Sequence, residues 1–361
     1  MEACPMEIKF FRAPLDPEER EPKLKLKTAK CRDGYAGIPF RDPYDGVLSV
    51  LRRGFRKSFR EVGGLEVEPW LVPAPEPKYI SLLTVENMVA FIDSDGCRQY
   101  AEKLEGFLRG KVLPGIPVMV SVDHSLTGGC VKALAREYGS ASLALIVLDS
   151  HFDAVIPSVR CGLIQYDLET NPSSPFSPSD PYIRGRLDSY NADSFLYYLV
   201  EEKVLPPENI LVLGVSDYPP PHAFKIEDPR VKRYLALYTG LESLGVKIVR
   251  KERLRKSWKV VREALNSLKA EYFYLSVDID IGARAALQGA RFLDYEGLRK
   301  EEIYTLIRLV KKRIEGGALA GLDLAETDIY SAGVGKNGEK DETYQVEAEI
   351  LRLLLEQPPH T

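Results

Sequence analysis

The chain has 361 residues, 45% of them hydrophobic, with 49 Lys and Arg against 53 Asp and Glu and a formal net charge of -4. That length suits one large α/β domain with insertions, and the hydrophobic share is enough for a sizeable core. The balanced charge argues against general nucleic-acid binding, which shows a basic excess. No apolar run approaches the roughly 20 residues of a membrane helix, so no membrane partner is expected.

The N-terminus, MEACPMEIKFF, lacks the apolar core of a signal peptide. The cysteines, Cys4, Cys31, Cys97, Cys130 and Cys161, are odd in number and widely spaced, with no C-x-x-C. This speaks against a disulfide framework or zinc knuckle and for a cytoplasmic location.

From residue 1 to about Pro77 the chain is rich in Pro, Arg and Glu and shows no clear period; its extended-looking piece is Gly37-Ile38-Pro39-Phe40. Beyond it, short apolar runs predict strands over 79–83, 117–122, 143–148, 210–214, 246–249, 272–277 and 318–322. The stretches between them predict helices over 85–108, 128–138, 192–203, 231–243, 257–269, 298–315 and 344–356. The basic run from Arg250 to Lys256 reads as a solvated helix start. Continuous apolar strands alternating with helices predict an α/β fold: a mainly parallel central sheet covered on both faces in three layers.

The stretch 154–190 breaks this rhythm with Asn171-Pro172-Ser173-Ser174-Pro175 and Ser177-Pro178-Ser179-Asp180-Pro181. It is expected to be a long functional loop rather than a linker, because the strand–helix rhythm resumes beyond it. The expectation is therefore a single domain over 1–361, with an atypical segment at 1–77.

Two of the four histidines, which are His124, His151, His222 and His360, fall beside aspartates at strand ends. One segment runs Ser121-Val122-Asp123-His124-Ser125, a second Asp149-Ser150-His151-Phe152-Asp153, and a third Ser276-Val277-Asp278-Ile279-Asp280. Side chains two apart on a strand share a side, so Asp149 can converge with His151 and Asp278 with Asp280. In parallel α/β sheets ligands bind outside the carboxyl ends of the strands. Carboxylates gathered there need neutralising. None of the segments holds a Lys or Arg, which leaves protons or metal ions. Four carboxylates and two imidazoles suit two divalent cations.

These segments resemble the three signature motifs of the ureohydrolase family, which includes arginase, agmatinase and formiminoglutamase: G-G-D-H-S, D-A-H-x-D and S-x-D-x-D. The resemblance covers roughly Pro117 to the C-terminus. It implies an arginase-like fold and one metal, usually manganese, held by His124, Asp149, Asp153 and Asp278. A second would be held by Asp149, His151, Asp278 and Asp280, with Asp149 and Asp278 bridging. A metal-bridging hydroxide would be the nucleophile toward a small cationic guanidino or formimino compound. Asp123 would hold neighbouring structure. Leu322-Asp323-Leu324-Ala325-Glu326-Thr327-Asp328 resembles the family's D-x-x-E-x-N-P, implying that Glu326 binds the cationic group. Arg160 would lie near the substrate's distal end. Family members often form oligomers, so a homo-oligomer is compatible.

Four departures from the pattern stand out. Ser121-Val122 replaces the paired glycines, and Ile281-Gly282-Ala283-Arg284 follows the third motif where an aspartate and a proline are usual. Asp328-Ile329 stands for Asn-Pro. Asn191-Ala192 takes the place of a His-Gly pair whose histidine shuttles protons in arginase-like members. Asn191 itself or His222, in the loop after the strand at 210–214, could take that part. The leading expectation is a two-metal amidine hydrolase. The alternatives are a metal-dependent amide hydrolase of deacetylase type, which usually works with one zinc, and a non-catalytic metal-binding relative.

Overall fold

A computed structural model of the chain describes residues 6–178, 180, 183, 185–336 and 339–356. Cys4, His360 and parts of the proline-rich stretch (179, 181, 182 and 184) lie outside the described residues. Eight strands form one sheet: β1 Ile8–Ala13, β2 Arg60–Gly64, β3 Ile116–Ser121, β4 Leu143–Leu148, β5 Ile210–Val215, β6 Lys247–Arg250, β7 Tyr272–Asp278 and β8 Ala318–Ala325. Their order is β2-β1-β3-β8-β7-β4-β5-β6, and every pairing is parallel.

Helices cover both faces because the strands are apolar on both sides. In β4, Leu145 and Val147 belong to one buried cluster with Phe195 and Leu134, while Ile146 and Leu148 belong to another with Ile303 and Leu351. The chain passes from β3 to β4 across two positions that β7 and β8 later fill. After β6 the chain turns back, so strand order reverses between β4, which leads on to β5, and β7, which leads on to β8; open α/β sheets make their ligand site at such a reversal.

Several expectations need correction. The segment before Pro77 supplies β1 and β2 and helices over Glu21–Arg32 and Pro43–Leu51. Strand β1 is obscured in sequence because Lys9 and Arg12 interrupt its apolar run; in the fold Lys9 Nζ donates to Val112 O at 2.8 Å and Arg12 pairs with Asp45 at 3.0 Å. Gly37-Ile38-Pro39-Phe40 lies outside any strand.

The expected strand at 79–83 is instead a 3₁₀ turn, Pro77–Leu82. Pro77 presets φ for a turn, and Tyr79 and Leu83 bond back three residues, to Glu76 O and Ile80 O. The expected helix over 85–108 breaks into Val85–Asp93 and Gly96–Phe107 at Asp95, whose φ is 61°. Gly96 at the break lets the Phe91 ring come where a Cβ would lie 2.4 Å away. Within 154–190, Pro157–Thr170 is helical and packs on the helix Pro229–Leu244; irregular chain begins at Asn171. Among the described residues no helix is long and apolar enough to cross a membrane.

Phe10 of β1 is fully buried and packs on Phe59 and Phe55, with ring centroids 4.7 and 6.5 Å away. Phe10→Ala should therefore cost about 3–5 kcal/mol in a denaturant titration. A loss of only a few tenths would mean that β1 is a dispensable edge.

Candidate metal centre

The four adjacent strands β3, β8, β7 and β4 end on one side of the sheet and bring the three motifs together. Asp149 and His151 follow β4, Asp278 ends β7, and His124 lies three residues beyond β3. Two groups of side chains offer ligand atoms within 4.8 Å of one another: His124, Asp149, Asp153 and Asp278, and then Asp149, His151 and Asp280.

Nδ1 of His124 lies 2.8 Å from Asp153 Oδ2, 3.3 Å from Asp149 Oδ2 and 3.4 Å from Asp278 Oδ2. Nδ1 of His151 lies 2.7 Å from Asp280 Oδ2 and 3.7 Å from Asp149 Oδ1. Asp149 thus faces both groups, one oxygen to each. Asp278 belongs only to the first group; its Oδ1 accepts the Asp280 N–H at 2.8 Å.

The local backbone serves this convergence. Asp153, at φ 51°, and Glu326, at φ 66°, both adopt the left-handed conformation, costly for a residue with a Cβ and concentrated at functional sites. Gly214, at φ 111° on β5, leaves room where a Cβ would meet Ile281 Cδ1 at 2.1 Å and Asp149 O at 2.9 Å.

The imidazole of His124 is oriented from behind. Its Nε2 lies 2.8 Å from Ser276 Oγ, and that hydroxyl donates to Asp323 Oδ1 at 2.6 Å. The Ser276 proton is committed to Asp323, so Nε2 is the donor of the pair. Tyr274 and Thr127 also donate to Asp323, at 2.6 and 2.8 Å. Nδ1 is thereby left to face three carboxylates.

Burial raises Asp153 and Asp278 well above the usual carboxylate range, and neighbouring carboxylates add to it. Asp149 is also buried, but His124 and His151 pull it down to about 2. Burial alone would lower both histidines, yet their carboxylate partners carry them well above the ordinary imidazole value. Without metal, then, these shifts favour protons within the cluster.

The donor set fits divalent cations. Oδ2 of Asp149 and Oδ2 of Asp280 are buried and accept no aligned hydrogen bond, although an imidazole nitrogen lies close to each. Imidazole nitrogen with several carboxylate oxygens is a ligand set for manganese, iron, cobalt, nickel or zinc.

The remaining expected site residues stand elsewhere or are already engaged. His222 is exposed and immediately precedes the turn Ala223–Lys225 in the loop beyond β5. The half-buried Asn191 side chain caps the turn Ala192–Ser194, with Ser194 Oγ 3.3 Å from its Oδ1. Arg160 is forked onto Asp193, its Nε donating at 2.8 Å, so its charge is answered within the chain. Glu326 is buried and accepts the His124 backbone N–H at 2.8 Å, but its carboxylate also pairs with Arg291. Asp123 accepts from the Ser125 N–H and hydroxyl and from Arg291, the structural part expected of it.

Two features, Arg291 and Asp217, were missed in sequence, and a third, Asp323, was quoted in a motif without a part of its own. Asp323 is a charge inside an apolar strand, a signal that was legible. Arg291 lies in a stretch without a motif. Asp217, in the loop after β5, accepts from Phe152 N–H at 3.4 Å; burial pushes it up to about 6, against the charges of His151 and Arg160.

The sequence profile of the Arginase family matches residues 78–331. The chain belongs to the arginase family. Members of this family are metal-dependent hydrolases of guanidino and amidino C–N bonds. The arginase of Bacillus caldovelox superposes with a TM-score of 0.58 at 16% identity, over 98% of this chain and 100% of that one. The formimidoylglutamase of Bacillus subtilis subsp. subtilis str. 168 gives 0.57 at 12% identity, over 98% and 88%. A Mn2+-containing variant of the Trypanosoma cruzi formiminoglutamase gives 0.52 at 14%, over 97% and 92%. At these identities the likeness is one of fold. No curated protein sequence matches this arginase-family chain.

The proton-held cluster has a consequence for stability. In metal-free protein, the raised histidines contribute stability fully present below about pH 6.5 and lost as pH climbs through their folded-state values; the raised carboxylates add a cost that begins at about pH 4 and grows with pH. The melting temperature of metal-free protein should fall as pH rises above about 6.5, and saturating divalent metal should cancel the fall, because ligands bind metal deprotonated. Parallel curves with and without metal would contradict this. Separately, Ser276→Ala removes the support of His124 Nε2 and should weaken metal affinity about 10–100-fold in a competitive chelator titration.

Proposed function

We propose that this chain is a two-metal hydrolase of a small amidine. His124, Asp149, Asp153 and Asp278 would hold one cation, and Asp149, His151 and Asp280 the other. The observation that carries this reading is the placement of Asp149, whose two oxygens face two separate ligand groups. A one-metal site of deacetylase type has no use for the second group. Manganese is the first metal to test. Divalent cations bound there would lower the pKa of a shared water and polarise the amidine carbon.

The chain's own residues do the rest. Ser276 and Asp323 fix the His124 ring, and Ser150 N–H holds Asp280 Oδ1 at 3.0 Å so that Oδ2 points to His151. Phe292 and Tyr295 stand edge-on to the His151 ring, with centroids 6.0 and 5.5 Å away, and form an apolar wall beside it. The buried cysteines Cys31, Cys97, Cys130 and Cys161 form no disulfide among the described residues, which suits a reducing cytoplasm.

The test is to incubate manganese-loaded protein with agmatine-like, arginine-like and formiminoglutamate-like compounds and to assay urea, formamide and ammonia. Hydrolysis of at least one compound, with about two metals per chain by elemental analysis, is the expected result. No product with any divalent metal would sink the reading, and a metal count near one would favour the amide hydrolase.

A further inference from the structure

Two imidazoles serve the ligand groups, and the fold holds them by different means. A metal-binding imidazole keeps its direction when its far nitrogen is hydrogen-bonded. His124 has that support, since its Nε2 lies 2.8 Å from Ser276 Oγ. His151 lacks it: its Nδ1 faces Asp280 and Asp149, and no hydrogen bond joins its Nε2 to a described residue. What touches the His151 ring is aromatic. Phe292 stands at 6.0 Å and 74°, and Tyr295 at 5.5 Å and 62°, edge-on arrangements that aromatic rings favour.

Both rings sit in irregular chain between β7 and β8, where no helix or strand holds them. Phe292 is fixed instead by a residue far away in sequence. The Arg20 guanidinium lies 3.9 Å over its ring. Arg20 Nη1 also donates at 3.1 Å to Arg291 O, the carbonyl of the peptide bond that leads into Phe292. The Arg291 N–H, in turn, donates to Glu326 O at 2.9 Å.

Arg20 is itself held by the buried Glu18. Its backbone N–H and its Nε donate to Glu18 Oε1 at 2.9 and 2.7 Å, and its Nη2 pairs with Glu18 Oε2. The polar edge of the guanidinium is thus committed to Glu18 and Arg291 O, and its flat face is set against Phe292. A cation over an aromatic face attracts it. Without that cation, Phe292 would be freer to move with its loop, and His151 would gain rotational freedom that metal binding must then remove.

We propose that Arg20 is a positioning residue of the metal centre: through Phe292 it fixes the ring of His151, as Ser276 fixes that of His124. This rests on the two-metal reading above and adds to it a part of the chain outside residues 78–331, which the family profile matches.

The test titrates metal-free protein with manganese against a competing chelator. Wild type should bind in two steps, and His151→Asn should abolish one of them, which marks that step as the His151 site. Arg20→Gln removes the cation, while Phe292→Leu removes the ring and leaves the polar contacts of Arg20 in place. Either folded variant should weaken the His151 step by about three- to tenfold and leave the other step unchanged. An unchanged His151 step in Phe292→Leu or in folded Arg20→Gln overturns the proposal. Equal weakening of both steps overturns it too, because that is a general loss of structure.

A single step in wild type defeats the two-metal reading on its own, and the ring itself then decides the role of Arg20. The four histidines give few ring-proton signals in NMR spectra of metal-free protein, and those of His151 are the ones lost in His151→Asn. In Arg20→Gln at the same pH the His151 signals should move or broaden while those of His124 stay. His151 signals identical to wild type overturn the assignment.

Discussion

A parallel sheet ends all its strands on one side, and in this chain four adjacent strands carry acids to that side. β4 leads into Asp149, β7 ends at Asp278, β3 leads through Asp123 to His124, and β8 leads to Glu326. Each carboxylate taken out of water costs several kcal/mol unless something answers it. The rest of the site follows from that cost. Where no basic side chain is near, imidazoles and protons hold the acids, with cations the lasting solution. Behind the ligands, Ser276 and Asp323 fix the ring that must face three carboxylates at once.

A few residues away the chain meets the same cost in another way. Glu326, Asp123, Asp16 and Glu18 share Arg291, while Lys27 pairs with Asp16 at 2.8 Å and Arg20 with Glu18. This second cluster is self-contained. Burial still pushes Glu326 up to about 7 against the pull of Arg291, so the neutralisation is close but incomplete. The two clusters differ in what they ask of the surroundings: the ligand groups need a cation from outside, and the Arg291 group supplies its own.

How far the sequence could be read depends on where the signal was local. β4 was legible to the residue, because Leu143-Ala144-Leu145-Ile146-Val147-Leu148 is apolar on both faces. The residue types and spacing that bring Asp149 to His151 and Asp278 to Asp280 were equally local. β1 was not legible, since its buried Phe10 and Phe11 are flanked by Lys9 and Arg12, whose partners lie far along the chain. The helix Pro157–Thr170 mixes apolar and polar residues without a stripe, and a proline at its start reads as a loop. Arg291 was out of reach for the same reason as β1: its partners stand at residues 16, 18, 123 and 326, and only the folded sheet brings them to one point.

The two clusters meet in a single residue. The backbone N–H of His124 donates to Glu326, and its ring nitrogen Nδ1 sits among Asp149, Asp153 and Asp278. A change of charge at Glu326 therefore acts on the main chain of a ligand, while the ring of that ligand is pinned by Ser276. With the ring held from behind and the backbone held from the side, His124 has little freedom to adjust. The charge balance at Glu326 is then more than local: it bears on the main chain of a ligand residue.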